Sequence, residues 1–558
     1  MSYNVSQVRE WIEHDPSEDD RTELTGVLEA AQAGDLAAEA ELSDRFAGTL
    51  QFGTAGLRGQ MAPGPNRMNR AVVRRAAAGL VSYLLDKVGS DALLVIGNDA
   101  RYHSREFAED TAAIAAAAGI RALIMPRELP TPLLAFAVQH LGADAGVMVT
   151  ASHNPARDNG YKVYLGGRCA DEFGQGVQLV PPADAEIAER IAAAPPASDI
   201  PLDSGYGVIG EDVIDAYVTE TARLVPSMYS RDLKIVYTAM HGVGTPIMRR
   251  IFRAAGFENV TEVAAQCSPD PDFPTVPFPN PEEAGALDLA KEVAASVGAD
   301  IVIASDPDAD RCSAAVPDHG TWRQLSGDEI GSLLGEFLAP AAVLEPGTPT
   351  FASSIVSSRL LEQIALSHGL VYQATLTGFK WIARTPHIAY GYEEAIGFCA
   401  NPAAVRDKDG LSAGILLAVL ASKLRDAGSD LLGELDRLYA KHGVYLSGPV
   451  TVRVEDLSII PATMAKVRAT PPATLAGSPV SRVWDLSEGS AQLPATDGIA
   501  WFTEANDRVI IRPSGTEPKV KCYLEVYLPA GEDLSAAKAA AAQRLELFKQ
   551  DVSAALVL

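Results

Sequence analysis

ALLVIGND (92–99) followed by REFAEDTAAIAAAAGI (105–120) sets an apolar run of strand length ahead of an alanine-rich stretch of helix length. The same succession recurs in LKIVYTAMHG (233–242) before TPIMRRIFRAAGF (245–257), and ADIVIASD (299–306) follows the helical LDLAKEVAASVG (287–298). Near-continuous apolar strands alternating with helices mark βαβ units, whose buried strands run parallel with helices covering the sheet faces. The pattern therefore predicts an α/β chain with largely parallel sheets.

Outward from that core, proline punctuates the chain. PPADAEIAERIAAAPPASDIP (181–201) reads as a helix between linkers, and SPDPDFPTVPFPNPEE (268–283) is too proline-dense for regular structure and reads as an ordered loop. The C-terminal part changes character. DRVIIRPS (507–514) and KVKCYLEVYL (519–528) form two strands around a turn, and DLSAAKAAAAQRLELFKQ (533–550) is helical, an α+β signature. Four segments are expected on this reading, 1–204, 205–322, 323–445 and 446–558. No internal repeat is evident.

The 558 residues are 47% hydrophobic and 21% charged, the composition of a globular chain able to bury sizeable cores. Lys and Arg number 46 against 72 Asp and Glu, a formal net charge of -26. Phosphate neutralisation needs a basic surface, so nucleic-acid binding is not expected, and an anionic ligand must be captured by a local basic pocket. Five scattered cysteines without a CxxC pair read as reduced and intracellular. The N-terminus MSYNVSQVREWIEHDP lacks a basic start before an apolar core, so no signal peptide is expected. No run of 18 apolar residues is present, so no membrane association is expected either. The expected compartment is the cytoplasm.

Four stretches carry chemistry. In VTASHNPARDNGYKVY (149–164), Ser152 sits in the loop after the apolar DAGVMV (144–149), where open α/β sheets place ligand chemistry. Asn154-Pro155 and Asn159-Gly160 are expected to turn the chain. T-A-S-H-N is not the G-x-S-x-G of an acyl-transfer elbow, and a plain capping loop is the alternative. In ASDPDADRC (304–312), Asp306, Asp308 and Asp310 alternate, so an extended loop would aim three hard oxygen ligands one way, as Mg²⁺ requires. An EF-hand would need Gly and Glu where Arg311 and Pro317 stand. Arg311 has the planar fork that suits a phosphate. In GYEEAIGF (391–398), Glu393 and Glu394 form a carboxylate pair between glycines that suits sugar hydroxyls, with TGFK (377–380) upstream. In RPSGTEPKVK (512–521), Arg512, Ser514, Thr516 and Lys519 surround the turn at Gly515, an anion nest with basic side chains; a hairpin turn is the alternative. It is not the GxxxxGK[ST] phosphate loop, which occurs nowhere in the chain.

Taken in order, TASHNP, DPDADR, GYEEAIGF and RPSGTEPK resemble the α-D-phosphohexomutase superfamily of phosphoglucomutases and phosphomannomutases, as do QFGTAGLRGQM (51–61), MHGVGTP (240–246) and VRDKDG (405–410). QFGTAGLRG and GYEEAIGF look most like the subgroup that includes glucose-1-phosphate and pentose phosphate mutases. The resemblance implies three similar α/β domains with mixed sheets plus a C-terminal α+β domain around a central cleft. It also implies a phosphosugar mutase that interconverts sugar 1-phosphate and sugar 6-phosphate through a phosphoserine and a bound sugar 1,6-bisphosphate. Ser152 would carry the phosphoryl group and ligate Mg²⁺ beside Asp306, Asp308 and Asp310. Lys162 would be the general acid/base, and its pKa would have to fall for it to act as a base. His153 and Arg58 would lie near the phosphoserine. Arg512, Ser514, Gly515 and Thr516 would hold the phosphate not in transfer, Glu393 and Glu394 would read the sugar, and Lys380 would contact phosphate. Ala395 and Phe398 replace the serine and histidine of the bacterial GE-x-SGH loop, so glucose, mannose and pentose phosphates all remain open, with glucose placed first. A catalytically silent sugar-phosphate sensor and a net phosphatase are the other classes. The sequence says nothing of oligomeric state.

Overall fold

The computed structural model describes residues 3–454, 458–513 and 519–556. The chain forms two compact units, Met1–Gln324 with Gly397–Val419, and Leu325–Ile396 with Leu420–Leu558.

The first unit opens with the helices Val5–His14, Glu18–Gln32 and Leu36–Arg45. Asn4, Ser17 and Asp35 cap them with side-chain acceptors, and Val8, Leu24, Leu28 and Leu42 close over one another. A seven-stranded sheet follows. Its centre is parallel: Leu93–Asn98 lies between Arg121–Ile124 and Ala145–Val149. The edge then reverses, with Asp158–Leu165 antiparallel to Ala145–Val149 and Leu57–Gln60 antiparallel to Asp158–Leu165. Helices Arg70–Lys87, Ser104–Ala117 and Thr131–His140 pack on this sheet or on one another, burying Val73, Leu80, Phe107 and Leu133. A second sheet places Ile235–Thr238 between parallel Val260–Glu262 and Ile301–Ser305, then adds antiparallel Cys312–Asp318 and Thr321–Gln324. The proline-dense stretch 268–283 contains no helix or strand, as expected.

One expectation fails here. Asn159-Gly160 is not a turn: both lie within Asp158–Leu165. A Cβ on Gly160 would sit 2.5 Å from the Thr150 carbonyl, so glycine serves close strand approach. The Asn159 amide instead donates to Tyr102 O and Ser104 Oγ. A second glycine governs the sheet edge. Gly56 has φ +74, and a Cβ there would lie 1.8 Å from Tyr161 O, so only glycine lets the strand carrying Arg58 approach the strand carrying Lys162.

In the second unit, Thr350–Ser354 lies between parallel Val371–Thr375 and Ile388–Glu393. A six-stranded antiparallel sheet runs in the order Val444–Arg453, Lys519–Leu528, Arg508–Pro513, Ile499–Thr503, Ser478–Asp485, Thr474–Leu475. The helix Leu534–Leu556 packs on it through Ala541, Leu545, Phe548 and Val552. The mixed sheets with their helices and this antiparallel sheet are the α/β and α+β classes expected.

Candidate active site

Ser152 follows the buried strand Ala145–Val149 and takes the left-handed φ of 52°. Its N–H donates to Thr150 Oγ1 at 2.8 Å, and Thr150 N–H in turn donates to Gly160 O. The bent backbone turns the hydroxyl into the unit, where Oγ donates to Asp306 Oδ2 at 2.7 Å and lies 3.2 Å from His153 Nδ1. Ser152 is only 3% exposed.

The three aspartates follow the buried strand Ile301–Ser305, but the loop is not extended. Ala309 N–H donates to Asp306 O at 2.9 Å and Ala309 adopts φ 57°, so a tight turn, rather than strand alternation, gathers the side chains. Carboxylate oxygens of Asp306, Asp308 and Asp310 lie within 4.8 Å of one another, all fully buried. Lys162, from the antiparallel neighbour of the serine strand, bridges Asp308 Oδ2 at 2.8 Å and Asp310 Oδ2 at 2.9 Å. Arg311 donates its backbone N–H to Asp306 Oδ1 and sets its guanidinium 3.8 Å from Asp310 Oδ1. Arg58 Nη1 donates to Asn154 Oδ1 at 3.2 Å.

Crowding sets the protonation states. Burial, with Asp308 and Asp310 close by, pushes the Asp306 carboxyl well above the usual carboxylate range. Burial opposes ionisation of Asp308, but Lys162 outweighs it and holds that group low. Asp310 is likewise held low against burial and Asp308, by Lys162, Lys408 and Arg311. Burial, Arg311 and Arg58 drive His153 well below the ordinary imidazole value, so it is neutral at pH 7. Lys162 departs from the expected fall. Burial lowers its pKa, but Asp308 and Asp310 raise it further, so the net shift is upward. In this arrangement Lys162 is a firmly charged ammonium.

The carboxylate set passes a direct test as a cation site. Asp308 Oδ1 and Asp310 Oδ1 are buried and accept no hydrogen bond, an expensive state for carboxylate oxygens unless a cation meets them. Three hard oxygen donors of this kind suit Mg²⁺, which completes its shell with water and phosphate oxygen.

Three participants have no role assigned from the sequence, although Lys408 lies in VRDKDG (405–410). Thr131 Oγ1 donates to Asp308 Oδ2 at 2.7 Å from a position 177 residues earlier. Lys408 Nζ lies 3.2 Å from Asp310 Oδ2, and Arg101 holds carbonyls of the serine loop. Arg101 follows the strand Leu93–Asn98, so its place at a strand's carboxyl end was the available signal.

The remaining expected residues belong to the second unit. Glu393 closes the strand Ile388–Glu393, and Glu394 stands in the turn after it. Glu394 Oε2 accepts from Ser354 and Ser357 at 3.0 Å each. Burial first, then Glu393 and Asp328, raise the Glu394 pKa to about 7. A Cβ on Gly327 would meet Glu394 O at 1.9 Å, so the capping-box helix Gly327–Ala342 supports this turn directly. Lys380 lies on the short helix Phe379–Ile382. Arg512, near the end of Arg508–Pro513, donates to Thr377 Oγ1, and Lys519 begins Lys519–Leu528. Ser514, Gly515 and Thr516 lie outside the described residues.

Family models described as phosphoglucomutase/phosphomannomutase alpha/beta/alpha domains I, II and III and C-terminal domain match residues 49–196, 215–320, 326–439 and 450–543. The chain is 46% identical over 463 residues to a protein named "Probable phosphomannomutase" from Haemophilus influenzae, covering 82% of this chain and 93% of that one. It is 34% identical over 519 residues to a phosphoglucomutase of Staphylococcus haemolyticus, covering 88% and 92%. It is 35% identical over 543 residues to human phosphopentomutase, covering 88% and 87%. A crystal structure of a phosphoglucomutase/phosphomannomutase family protein from Burkholderia thailandensis shares the fold, with TM-score 0.68 at 21% identity over 90% of this chain and 97% of that one.

Proposed function

The chain belongs to the phosphoglucomutase/phosphomannomutase family of the α-D-phosphohexomutase superfamily, phosphomutases that are isomerases, and on that premise we propose that it interconverts glucose 1-phosphate and glucose 6-phosphate through phosphorylated Ser152. The observation that carries this reading is the Ser152 hydroxyl, 2.7 Å from a carboxylate of the buried triad whose other members hold Lys162.

In the first half-reaction a substrate hydroxyl oxygen bonds to the phosphorus on Ser152, the Oγ–P bond breaks, and the hydroxyl proton leaves. In the second, Ser152 Oγ bonds to the other phosphorus, that sugar O–P bond breaks, and the freed sugar oxygen takes the proton back. The first transfer yields a bound glucose 1,6-bisphosphate. After it turns end for end, its other phosphoryl group returns to Ser152. Positioning and charge neutralisation supply most of the rate of such a transfer. Asp306, Asp308 and Asp310, with an oxygen on Ser152, would hold Mg²⁺, which would neutralise charge on the transferring phosphoryl group. Lys162 is the group we assign to exchange the hydroxyl proton, at Nζ. Neutral His153 lies against Oγ, while Arg58 and Arg311 add positive charge around Ser152. Arg512, Ser514, Gly515, Thr516 and Lys519 take the phosphate not in transfer, with Lys380 as a further phosphate contact, and Glu393 and Glu394 take sugar hydroxyls. Phe398, where the bacterial loop has histidine, is fully buried.

The four segments 1–204, 205–322, 323–445 and 446–558 supply serine, metal, sugar and phosphate loops in that order. Five free cysteines suit a reducing compartment such as the cytoplasm. Among the described residues no helix is long and apolar enough to cross a membrane.

The test is a coupled assay on glucose 1-, mannose 1- and ribose 1-phosphate with catalytic bisphosphate. The glucose reading expects the highest kcat/KM for glucose 1-phosphate. Relatives named probable phosphomannomutase at 46% identity and phosphopentomutase at 35% support mannose and pentose phosphates as the alternative readings, and faster turnover of mannose 1-phosphate or ribose 1-phosphate would establish the corresponding one instead.

A further inference from the structure

The serine loop leaves its strand in a left-handed step at Ser152, and its next residues spend few carbonyls on a sheet ladder. A single side chain collects them. Arg101 Nη2 donates to Ser152 O and Asn154 O at 2.6 Å each, and Nη1 donates to Pro155 O at 2.8 Å and Asp158 O at 3.0 Å. Arg101 is itself buried and held by its neighbours. It is 4% exposed, its guanidinium lies 5.0 Å from the centre of the Phe273 ring, and its Nε is 3.5 Å from Asp99 Oδ2. Asp99 Oδ1 accepts the Arg101 N–H and the Ser104 hydroxyl. Phe273 belongs to the proline-dense stretch 268–283 and packs in a cluster with Met240, Val276 and Leu287, against which Ala156 of the serine loop also rests.

We infer that Arg101 is the positioning residue of the nucleophile loop, and that Phe273, whose ring its guanidinium lies against, helps hold that guanidinium where it can reach all four carbonyls. Left-handed backbone at a residue with a side chain persists only where surroundings over-determine it. Here the carbonyl of the strained residue is itself one of the clamped acceptors. A rigid five-donor fork can serve four carbonyls at once, whereas a lysine ammonium has three donors on a flexible stem. Arg101 touches neither Ser152 Oγ nor the aspartates in these bonds, so it acts on the angle at which Oγ is presented. This inference rests on Ser152 being the phosphoryl carrier.

Arg101→Lys, Phe273→Leu and Ser152→Ala are to be compared with the wild-type chain. The readouts are kcat and KM, the rate at which added glucose 1,6-bisphosphate phosphorylates the protein by intact mass, and amide exchange. Arg101→Lys is expected to fold, keep KM within about threefold, and lose about 100-fold in kcat, the scale of a misplaced reacting group. Phosphorylation should slow in parallel, with faster exchange confined to residues 151–160. Phe273→Leu keeps the apolar cluster and should show a smaller loss of kcat at unchanged KM. Wild-type kcat and exchange in Arg101→Lys overturn the inference. So does a loss of protection spread across the whole first sheet with Phe273→Leu unaffected, because Arg101 would then only support the fold. Undiminished turnover in Ser152→Ala overturns the phosphoserine reading instead, whatever Arg101→Lys does.

Discussion

Ser152 Oγ donates a 2.7 Å hydrogen bond to Asp306 Oδ2, joining residues 154 positions apart. Each stands just beyond the carboxyl end of a buried strand, in two different sheets of the same unit. The bond makes the proposed nucleophile and the proposed cation site one object.

Ser152→Ala removes that donor and the atom that carries phosphorus. The protein should fold, because the backbone bonds of the loop persist, and lose roughly 10³-fold or more in turnover, as when a member of a concerted catalytic set is removed. Peptide mapping of wild type should find phosphate on Ser152. Full turnover in the variant would end the phosphoenzyme mechanism.

Asp308 offers an unpartnered buried Oδ1 while its Oδ2 is taken by Thr131 and Lys162. Chelation should abolish activity and Mg²⁺ restore it. Asp308→Asn should weaken Mg²⁺ binding, read by calorimetry, by about 10- to 100-fold, the scale seen for disturbed metal shells. Activity that survives exhaustive chelation would take the metal out of the mechanism.

Glu394 is held protonated up to about pH 7 by burial, Glu393 and Asp328. A carboxyl whose folded pKa lies above its unfolded value of 4.5 adds stability below that value and loses it as pH rises through about 7. Glu394→Gln removes this titration while leaving an oxygen to accept from Ser354 and Ser357. The variant should match wild type near pH 4 and exceed it by up to about 3 kcal/mol at pH 8.5 in urea unfolding. A stability difference that does not vary with pH would show that Glu394 is ionised throughout.

Gly56→Ala would force a Cβ within 1.8 Å of Tyr161 O at φ +74. The edge strand pairs Leu57 with Tyr161 and Arg58 with Gly160, so the clash falls on the seam between Arg58 and Lys162. Stability should fall by about 2 kcal/mol or more, and kcat should fall with it. An alanine variant with wild-type melting and turnover would show that the seam relaxes freely.

Arg512→Ala should raise KM about tenfold for sugar 1-phosphate and sugar 6-phosphate alike, since a charged bidentate contact to the fixed phosphate is lost in both orientations. A change in KM for one monophosphate alone would assign Arg512 to a single end of the substrate.

The strand–helix alternation was readable because burial of parallel strands demands long apolar runs, as in ALLVIGND and ADIVIASD. Ser152 and the three aspartates were readable because short polar side chains directly after such strands announce a loop at a sheet's edge. The shape of those loops was not. Asp306–Asp310 closes through a turn rather than an extended alternation, and Asn159-Gly160 pairs in a strand because Leu57–Gln60 offers it a ladder.

Local chemistry along the chain thus settled the classes of sheet and pointed to the proposed cation ligands and phosphoryl carrier, because each depends on residue type and short spacing. What Thr131, Arg101 and Lys408 do was settled by folding, since their partners arrive from other strands and loops: Thr131 meets Asp308 across 177 residues. The charge on Lys162 was settled the same way. A lysine's pKa is a sum over whatever the fold places around it, and two buried carboxylates at 2.8 and 2.9 Å outweigh the desolvation that would have lowered it.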